Sequence, residues 1–216
     1  MRFELLVFDW DGTLMDSAAA IVASLQGACR DLGLPVPSVE QARYIIGLGL
    51  GDALRHILPD LDSGQYPAVV ERYRHHFLEQ HAGARLFPGI ADVIAGLHGA
   101  GFRLAIATGK SRRGLARALA ETGLQPYFHA TRCADEGHTK PDPGMLKTLM
   151  AEVGIPNDKT LMVGDTTHDL EMARAAGVAS LAVTYGAHPH DALLASQPLA
   201  CLHTVTELRD WLAAHG

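Results

Sequence analysis

Apolar runs too short for a surface helix recur along the chain, at 3–8 (FELLVF), 102–107 (FRLAIA), 160–164 (TLMVG) and 179–183 (ASLAV). A weaker run spans 128–131. Their length and near-continuous apolar character predict strands buried on both faces. Between them the apolar positions take a helical period, over 89–99, 111–122, 142–153 and 168–176. Strands that alternate with helices need crossover connections, which give an α/β fold with a parallel sheet and helices on both faces. The stretches GLHGAGF, ETGL, EVGIP and AAGVA each place a glycine just past a helix, where a left-handed cap is needed.

One segment breaks the rhythm. From Ser17 to about Gly83 no strand pattern occurs; helical stretches run over 17–32, 38–46, 50–58 and 65–81, interrupted by PVP (35–37) and LPDLDSG (58–64). An all-α insert of this size after the first strand predicts a second, small domain carried on two linkers. The expected division is a core of 1–15 and 84–216 and an insert of 16–83.

The chain has 216 residues, 48% hydrophobic and 19% charged, enough for one full core and a smaller appendage. Its formal net charge is −6 and it has no block of Lys and Arg, so nucleic acid is not expected as a partner. A local basic patch can still hold a small anion. Cys29, Cys133 and Cys201 are widely separated and form no CxxC pair. That argues against a disulfide framework or a thiolate zinc site and fits a reducing, cytoplasmic setting. The N-terminal MRFELLVFDW lacks the pattern of a signal peptide. No window approaches the roughly 18 apolar residues of a membrane helix, so no membrane partner is expected.

Ligands of open α/β sheets bind beyond the carboxyl ends of the strands. The first strand runs into FDWDGTLMDS (8–17), which crowds Asp9, Asp11 and Asp16 together. Like charges this close call for a cation or a wet turn. The 102–107 strand ends in Thr108, Gly109 and Lys110; the 160–164 strand runs into Asp165, with Asp169 beyond it; Lys140 sits in the loop HTKPDPG. If these ends are neighbours, they gather carboxylates, a hydroxyl and at least one ammonium. Clustered carboxylates without aligned histidines or thiolates suit Mg²⁺ rather than zinc. Thr108, the adjacent glycine amide and Lys140 supply donors to anionic oxygens. One aspartate can attack phosphorus while another, two residues along the same extended strand end, handles the proton. Together these parts describe phosphoryl transfer.

The motifs resemble those of the haloacid dehalogenase superfamily, in its phosphoglycolate-phosphatase-like branch with a helical cap after the first strand. DWDGTLMDS matches the first motif, DxDGTxxDS; Thr108 in ATGKS matches the second, Lys140 in KPDP the third and GDTTHD (164–169) the fourth. They occur in the family's order over nearly the whole chain, and the insert falls where the family's cap falls. The resemblance implies a Rossmann-like, doubly wound parallel sheet core with an inserted all-α cap domain.

Carried over by position, the resemblance makes Asp9 the nucleophile that becomes an aspartyl-phosphate, and a metal ligand. Asp11 protonates the leaving alkoxide and later activates water, while its backbone carbonyl binds Mg²⁺. Thr108 and Lys140 hold phosphoryl oxygens, and Lys140 also keeps Asp9 ionised. Asp165 ligates Mg²⁺ directly, and Asp169 directly or through water. Gly12 permits the turn after the nucleophile and Thr13 orders that loop. Aspartate at position 11 favours a phosphatase or phosphomutase over a dehalogenase.

The expected protein is a Mg²⁺-dependent phosphatase acting on a small phosphorylated metabolite, 2-phosphoglycolate first, as a monomer or homodimer. An inorganic pyrophosphatase or a β-phosphoglucomutase-like phosphotransferase uses the same parts. A receiver-like signalling module shares the acidic cluster but is shorter, lacks the insert and places its phosphoacceptor later. A module that only binds a phosphorylated ligand is opposed by the intact acid set.

GLGLG (47–51) lies in the helical insert and not after a buried strand, which excludes a dinucleotide fingerprint. It is either a joint between helices or a substrate-selecting loop, so Gly47 and Gly49 join Gly109 and Lys110 as substrate-binding candidates. Lys110 is placed to meet a carboxylate or phosphate on the substrate, although Thr-Gly-Lys departs from the Thr-Asn-Lys of many relatives. Asp16, with Ser17, is expected to cap the first helix of the insert. The histidines show no metal-ligand spacing. His75, His76, His188 and His190 are expected at the surface; His168 is expected to face solvent, with a substrate contact as the alternative.

Overall fold

The computed structural model describes residues 2–80 and 85–215. Their strands are β1 (Leu5–Phe8), β2 (Arg103–Thr108), β3 (Ala130–Cys133), β4 (Thr160–Gly164), β5 (Ala179–Val183) and β6 (Cys201–Leu202). They form one sheet in the order β3-β2-β1-β4-β5-β6, parallel throughout. β1 sits inside it, with Phe8 opposite Ile106 on one side and Val163 on the other.

Successive side chains of β1 serve opposite layers, which is why its sequence is apolar without a break. Leu6 and Phe8 pack with α5 (Ile90–Gly99), α6 (Arg112–Thr122) and α10 (Val205–His215). Leu5 and Val7 pack with α7 (Gly144–Val153) and α8 (Thr167–Ala176). A short α9 (His190–Ala195) brings Leu193 against Leu170 and Ala182. The helices α6, α7 and α8 stop at Gly123, Gly154 and Gly177, each left-handed as the sequence predicts.

The chain builds β1, β2 and β3 in one direction, then crosses back to lay β4 on the other side of β1. Connections diverge at that reversal and leave a crevice at the carboxyl edge. The weak run at 128–131 proves to be β3, shifted two residues on. β6 has only two residues, too few to leave a pattern in the sequence.

Between β1 and α5 lie α1 (Ala18–Asp31), α2 (Val39–Tyr44), α3 (Leu50–Ile57) and α4 (Tyr66–Gln80). These helices share an apolar cluster of their own, with Ile21, Leu25, Ile45, Leu54 and Val69 at its centre. A capping box between Ser38 and Gln41 starts α2. The two connections to the core run side by side: the Asp16 N–H donates to the Arg85 carbonyl (2.9 Å) and the Phe87 N–H to the Leu14 carbonyl (3.0 Å). The boundary expected at 83–84 lies outside the described residues. No described helix is long and apolar enough to cross a membrane.

The expected cap of α1 is not found. Asp16 is exposed, and Ser17 stands at the N-cap without a side-chain capping bond. Its hydroxyl instead donates to Asp11 at 2.6 Å, a charge-assisted bond that sets the side chain's direction.

Candidate active site

Asp9 continues β1 by one residue, its N–H donating to the Val163 carbonyl (3.0 Å), and its carboxylate is fully buried. Lys140, equally buried on the loop before α7, sets its Nζ 2.7 Å from Asp9 Oδ1 and 2.7 Å from Asp169 Oδ1. Asp169 is fixed by the start of α8. Its Oδ2 accepts from the Thr166 N–H (3.1 Å) and hydroxyl (2.6 Å), so the capping box of the helix also aims the carboxylate. Asp165 follows β4 directly; Oδ1 accepts from the Thr13 hydroxyl (2.7 Å) and Oδ2 from the Ala187 N–H (2.7 Å). Gly12 has φ +84°, and a Cβ there would lie 2.1 Å from Asp165 Oδ2, so glycine alone lets the loop approach.

Ligand oxygens of Asp9, Asp165 and Asp169 lie within 4.8 Å of one another. Burial pushes the Asp9 carboxyl well up, Lys140 draws it down, and the charges of Asp169 and Asp165 add to the rise. Burial and the Asp169 charge likewise raise Asp165 to about 7, against the Ala187 N–H and the Thr13 hydroxyl. Burial works against the Lys140 charge, but Asp169 and Asp9 more than offset it and keep the ammonium protonated. Among the described residues these three carboxylates thus outnumber the ammonium of Lys140, which contacts Asp9 and Asp169. Asp9 Oδ2 is buried without a hydrogen-bond partner among the described residues. An orphaned anionic oxygen amid uncompensated carboxylates fits a hard divalent cation with oxygen ligands.

Asp11 faces elsewhere. Its Oδ1 takes the Ser17 hydroxyl and, at 3.0 Å, the Lys110 ammonium, leaving its main-chain carbonyl as the part expected at the metal. Lys110 Nζ also lies 4.9 Å from the centre of the Phe77 ring, which is contributed by α4. Tyr73 stacks on Phe77 at 5.7 Å, and burial together with the Asp11 charge raises its phenol. Thr108 is buried at the end of β2, where its hydroxyl accepts the Lys110 N–H (3.2 Å).

The 47–49 segment rests on these strand ends. A Cβ on Gly109 would lie 2.4 Å from the Leu48 carbonyl and 2.6 Å from that of Gly47. A Cβ on Gly47 would lie 3.1 Å from Thr166 Oγ1, and one on Gly49, at the start of α3, 3.0 Å from Ala134 and Thr139. Gly47, Gly49, Gly109 and Lys110 are therefore brought together at one edge of the site.

Two histidines are buried against expectation. His168 and His188 are 5% and 4% exposed, and the Nε2–H of each donates to the Tyr44 carbonyl, at 2.8 and 2.9 Å. His188 Nδ1 accepts the Thr167 N–H (3.1 Å), and burial holds both imidazoles below their usual range. The first turn of α8 would face solvent in the core alone; α2 covers it. His75 and His190 are exposed as expected, whereas His76 is half-buried against Asp31 (2.9 Å). Sequence reasoning also missed Ser17 as a partner of Asp11, and the Gly186–Ala187 turn that grips Asp165. A glycine soon after the carboxyl end of β5 was the available signal for the turn.

A doubly wound sheet whose switch point gathers buried carboxylates, an ammonium and a hydroxyl suits a phosphoryl-transfer enzyme. Residues 6–183 match the family model of the haloacid dehalogenase-like hydrolases, and the chain belongs to that family. It is 39% identical to a protein named "Probable phosphatase IndB" from Dickeya dadantii, over 94% of this chain and 91% of that one. It is 33% identical to a phosphoglycolate phosphatase from Pseudomonas syringae pv. tomato, over 85% of this chain and 70% of that one. The crystal structure of a hydrolase from Pseudomonas syringae superposes with a TM-score of 0.88 at 20% identity, covering 98% of each chain, which shows the shared fold. Family and relatives together make this chain a phosphatase.

Proposed function

We propose that the protein is a Mg²⁺-dependent phosphatase that hydrolyses a small phosphate monoester through a phosphorylated Asp9, with 2-phosphoglycolate the first substrate to test. The observation that carries this reading is the state of Asp9: fully buried, one oxygen on Lys140, the other without a partner among the described residues, beside Asp165 and Asp169. Relatives named phosphoglycolate phosphatase support the substrate.

In the first step an Asp9 oxygen forms a bond to phosphorus. The bond from phosphorus to the ester oxygen breaks, its electron pair stays on that oxygen, and Asp11 supplies the proton. In the second step Asp11, now a carboxylate, takes a proton from water. The water oxygen bonds to phosphorus, the bond to Asp9 breaks, and inorganic phosphate leaves with Asp9 restored. Lys140 keeps Asp9 ionised before the attack and donates to the phosphoryl oxygens afterwards. The Thr108 hydroxyl and the Gly109 amide donate to phosphoryl oxygens, and Ser17 orients the Asp11 carboxyl. Asp9, Asp165, Asp169 and the Asp11 carbonyl would hold Mg²⁺, which would supply positive charge to the phosphoryl oxygens. Gly47, Gly49 and Lys110 border the leaving group.

Phosphate release from a panel of phosphate esters, with and without Mg²⁺, tests the reading. Steady turnover that needs Mg²⁺ and is lost in Asp9→Asn is expected. Substantial turnover by Asp9→Asn would end the mechanism, and a tenfold better kcat/KM for another ester would end the substrate assignment.

A further inference from the structure

Two consecutive peptide groups link the insert to the carboxylate cluster. The peptide between Gly186 and Ala187 donates its N–H to Asp165 Oδ2 (2.7 Å), while its carbonyl accepts from Arg43 Nη2 (2.5 Å). The next peptide repeats the arrangement. Its N–H, on His188, donates to the Asp165 main-chain carbonyl (3.2 Å), and its carbonyl, on Ala187, accepts from Arg43 Nε (3.0 Å). One guanidinium at the end of α2 and one aspartate after β4 therefore hold the same two peptides, each at opposite poles.

Charge at a peptide's carbonyl polarises the group and strengthens its N–H as a donor. The planar fork of arginine reaches two carbonyls with one set of torsions, which an ammonium does not. The turn has little room to yield: a Cβ on Gly186 would lie 2.3 Å from Asp165 Oδ2, and the Ala187 methyl packs into the insert's apolar cluster. The neighbouring Tyr44 carbonyl takes the imidazole N–H groups of His168 and His188, which anchors the end of α2 at the same spot.

We infer that Arg43 is a positioning residue for the metal site, setting the Asp165 carboxylate through the 186–188 peptides, so that docking of α2 and binding of the cation favour each other. The inference rests on the reading of Asp9, Asp165 and Asp169 as Mg²⁺ ligands. Coupling of this kind is reciprocal, so whatever α2 contributes to cation affinity the cation returns to the docking of α2. Partners of metal ligands of this sort typically change metal affinity by about 10–100-fold when removed.

Calorimetric titration of the full chain with Mg²⁺, in the absence of substrate, tests it on the wild type, Arg43→Ala, Arg43→Gln and Arg72→Ala. Arg72 pairs loosely with Asp31 at 3.9 Å inside the insert and serves as the control. The expected result is Mg²⁺ binding weakened about tenfold or more in Arg43→Ala, an intermediate loss in Arg43→Gln, and no change in Arg72→Ala. Amide exchange at Ala187 and His188 should quicken in the Arg43 variants while the helix content holds. Should Arg43→Ala fail to fold, Arg43→Gln carries the comparison. Wild-type affinity in a folded Arg43 variant overturns the inference alone. Absence of Mg²⁺ binding by the wild type overturns the metal reading, and the inference with it.

Discussion

Asp165 carries two obligations that pull against each other. Its oxygens accept from Thr13 and Ala187, yet burial and the Asp169 charge disfavour its ionised form. Asparagine meets the first without the second: its carbonyl can take the Ala187 N–H and its amide can donate to the Thr13 hydroxyl, which is free to turn. Asp165→Asn is therefore expected to melt several degrees above the wild type in EDTA, and to lose both Mg²⁺-dependent stabilisation and turnover. Scanning calorimetry with and without Mg²⁺ checks this; a lower melting point in EDTA would contradict it. Gly12→Ala faces a positive φ and a contact of 2.1 Å together. It should lose at least about 2 kcal/mol of stability and most of its activity, the backbone and the clash adding.

At the scale of elements, Arg112 ties the first turn of α6 to the end of β3. Its guanidinium holds Glu136 through both carboxylate oxygens, at 2.9 and 2.6 Å, and also bonds to Thr131. Hydrogen bonds from Arg112 hold the Glu136 carboxyl below its usual range. A depressed carboxyl contributes stability that is present above its unfolded value, about 4.3, and is lost as pH falls through its folded value. Acid titration of the melting point should accordingly show a shallower fall below that pH in Glu136→Gln than in the wild type. A second element-level prediction concerns Gly109. Any side chain there meets the Leu48 and Gly47 carbonyls, so Gly109→Ala should push the 47–49 segment off the strand end. The expected signature is a rise in KM with faster proteolysis of the insert.

How much of this was legible in the sequence also sorts by element. The strands at 160–164 and 179–183 have the bounds the apolar runs predict, whereas those expected at 3–8 and 102–107 are found at 5–8 and 103–108. The places of Asp9, Thr108 and Asp165 at strand ends were legible too, as was that of Lys140 in the loop before α7, whereas Asp169 lies in the first turn of α8. His168 was not, because its burial depends on α2 arriving from a part of the chain far away in sequence. Ser17 was missed for another reason: its hydroxyl donates to Asp11, six residues back, through a turn whose path the hydrophobic pattern does not give. Strand order was equally hidden: contiguity of strand ends is a tertiary fact, and only the crossing from β3 back to β4 puts Asp9 beside Asp165.

For the molecule as a whole, cation binding and folding share one account. A ligand that binds only the folded chain stabilises it by about 2.7 kcal/mol at a hundredfold excess over its Kd. Mg²⁺ should then raise the melting point by several degrees, and Ca²⁺, larger and less demanding of geometry, should stabilise without supporting equal turnover. Equal melting points with EDTA and with saturating Mg²⁺ would argue that the carboxylates hold no cation.

The paired connections at Leu14–Asp16 and Arg85–Phe87 bear on this whole-molecule behaviour. Two segments joined by a pair of hydrogen bonds flex readily across their common plane and resist shearing within it, much as a door leaf on a strip hinge swings without sliding. Opening of the insert should follow a single arc. Each return along that arc would deliver Arg43 to the same two carbonyls, and the 47–49 turn to the same seat on Gly109, without a search.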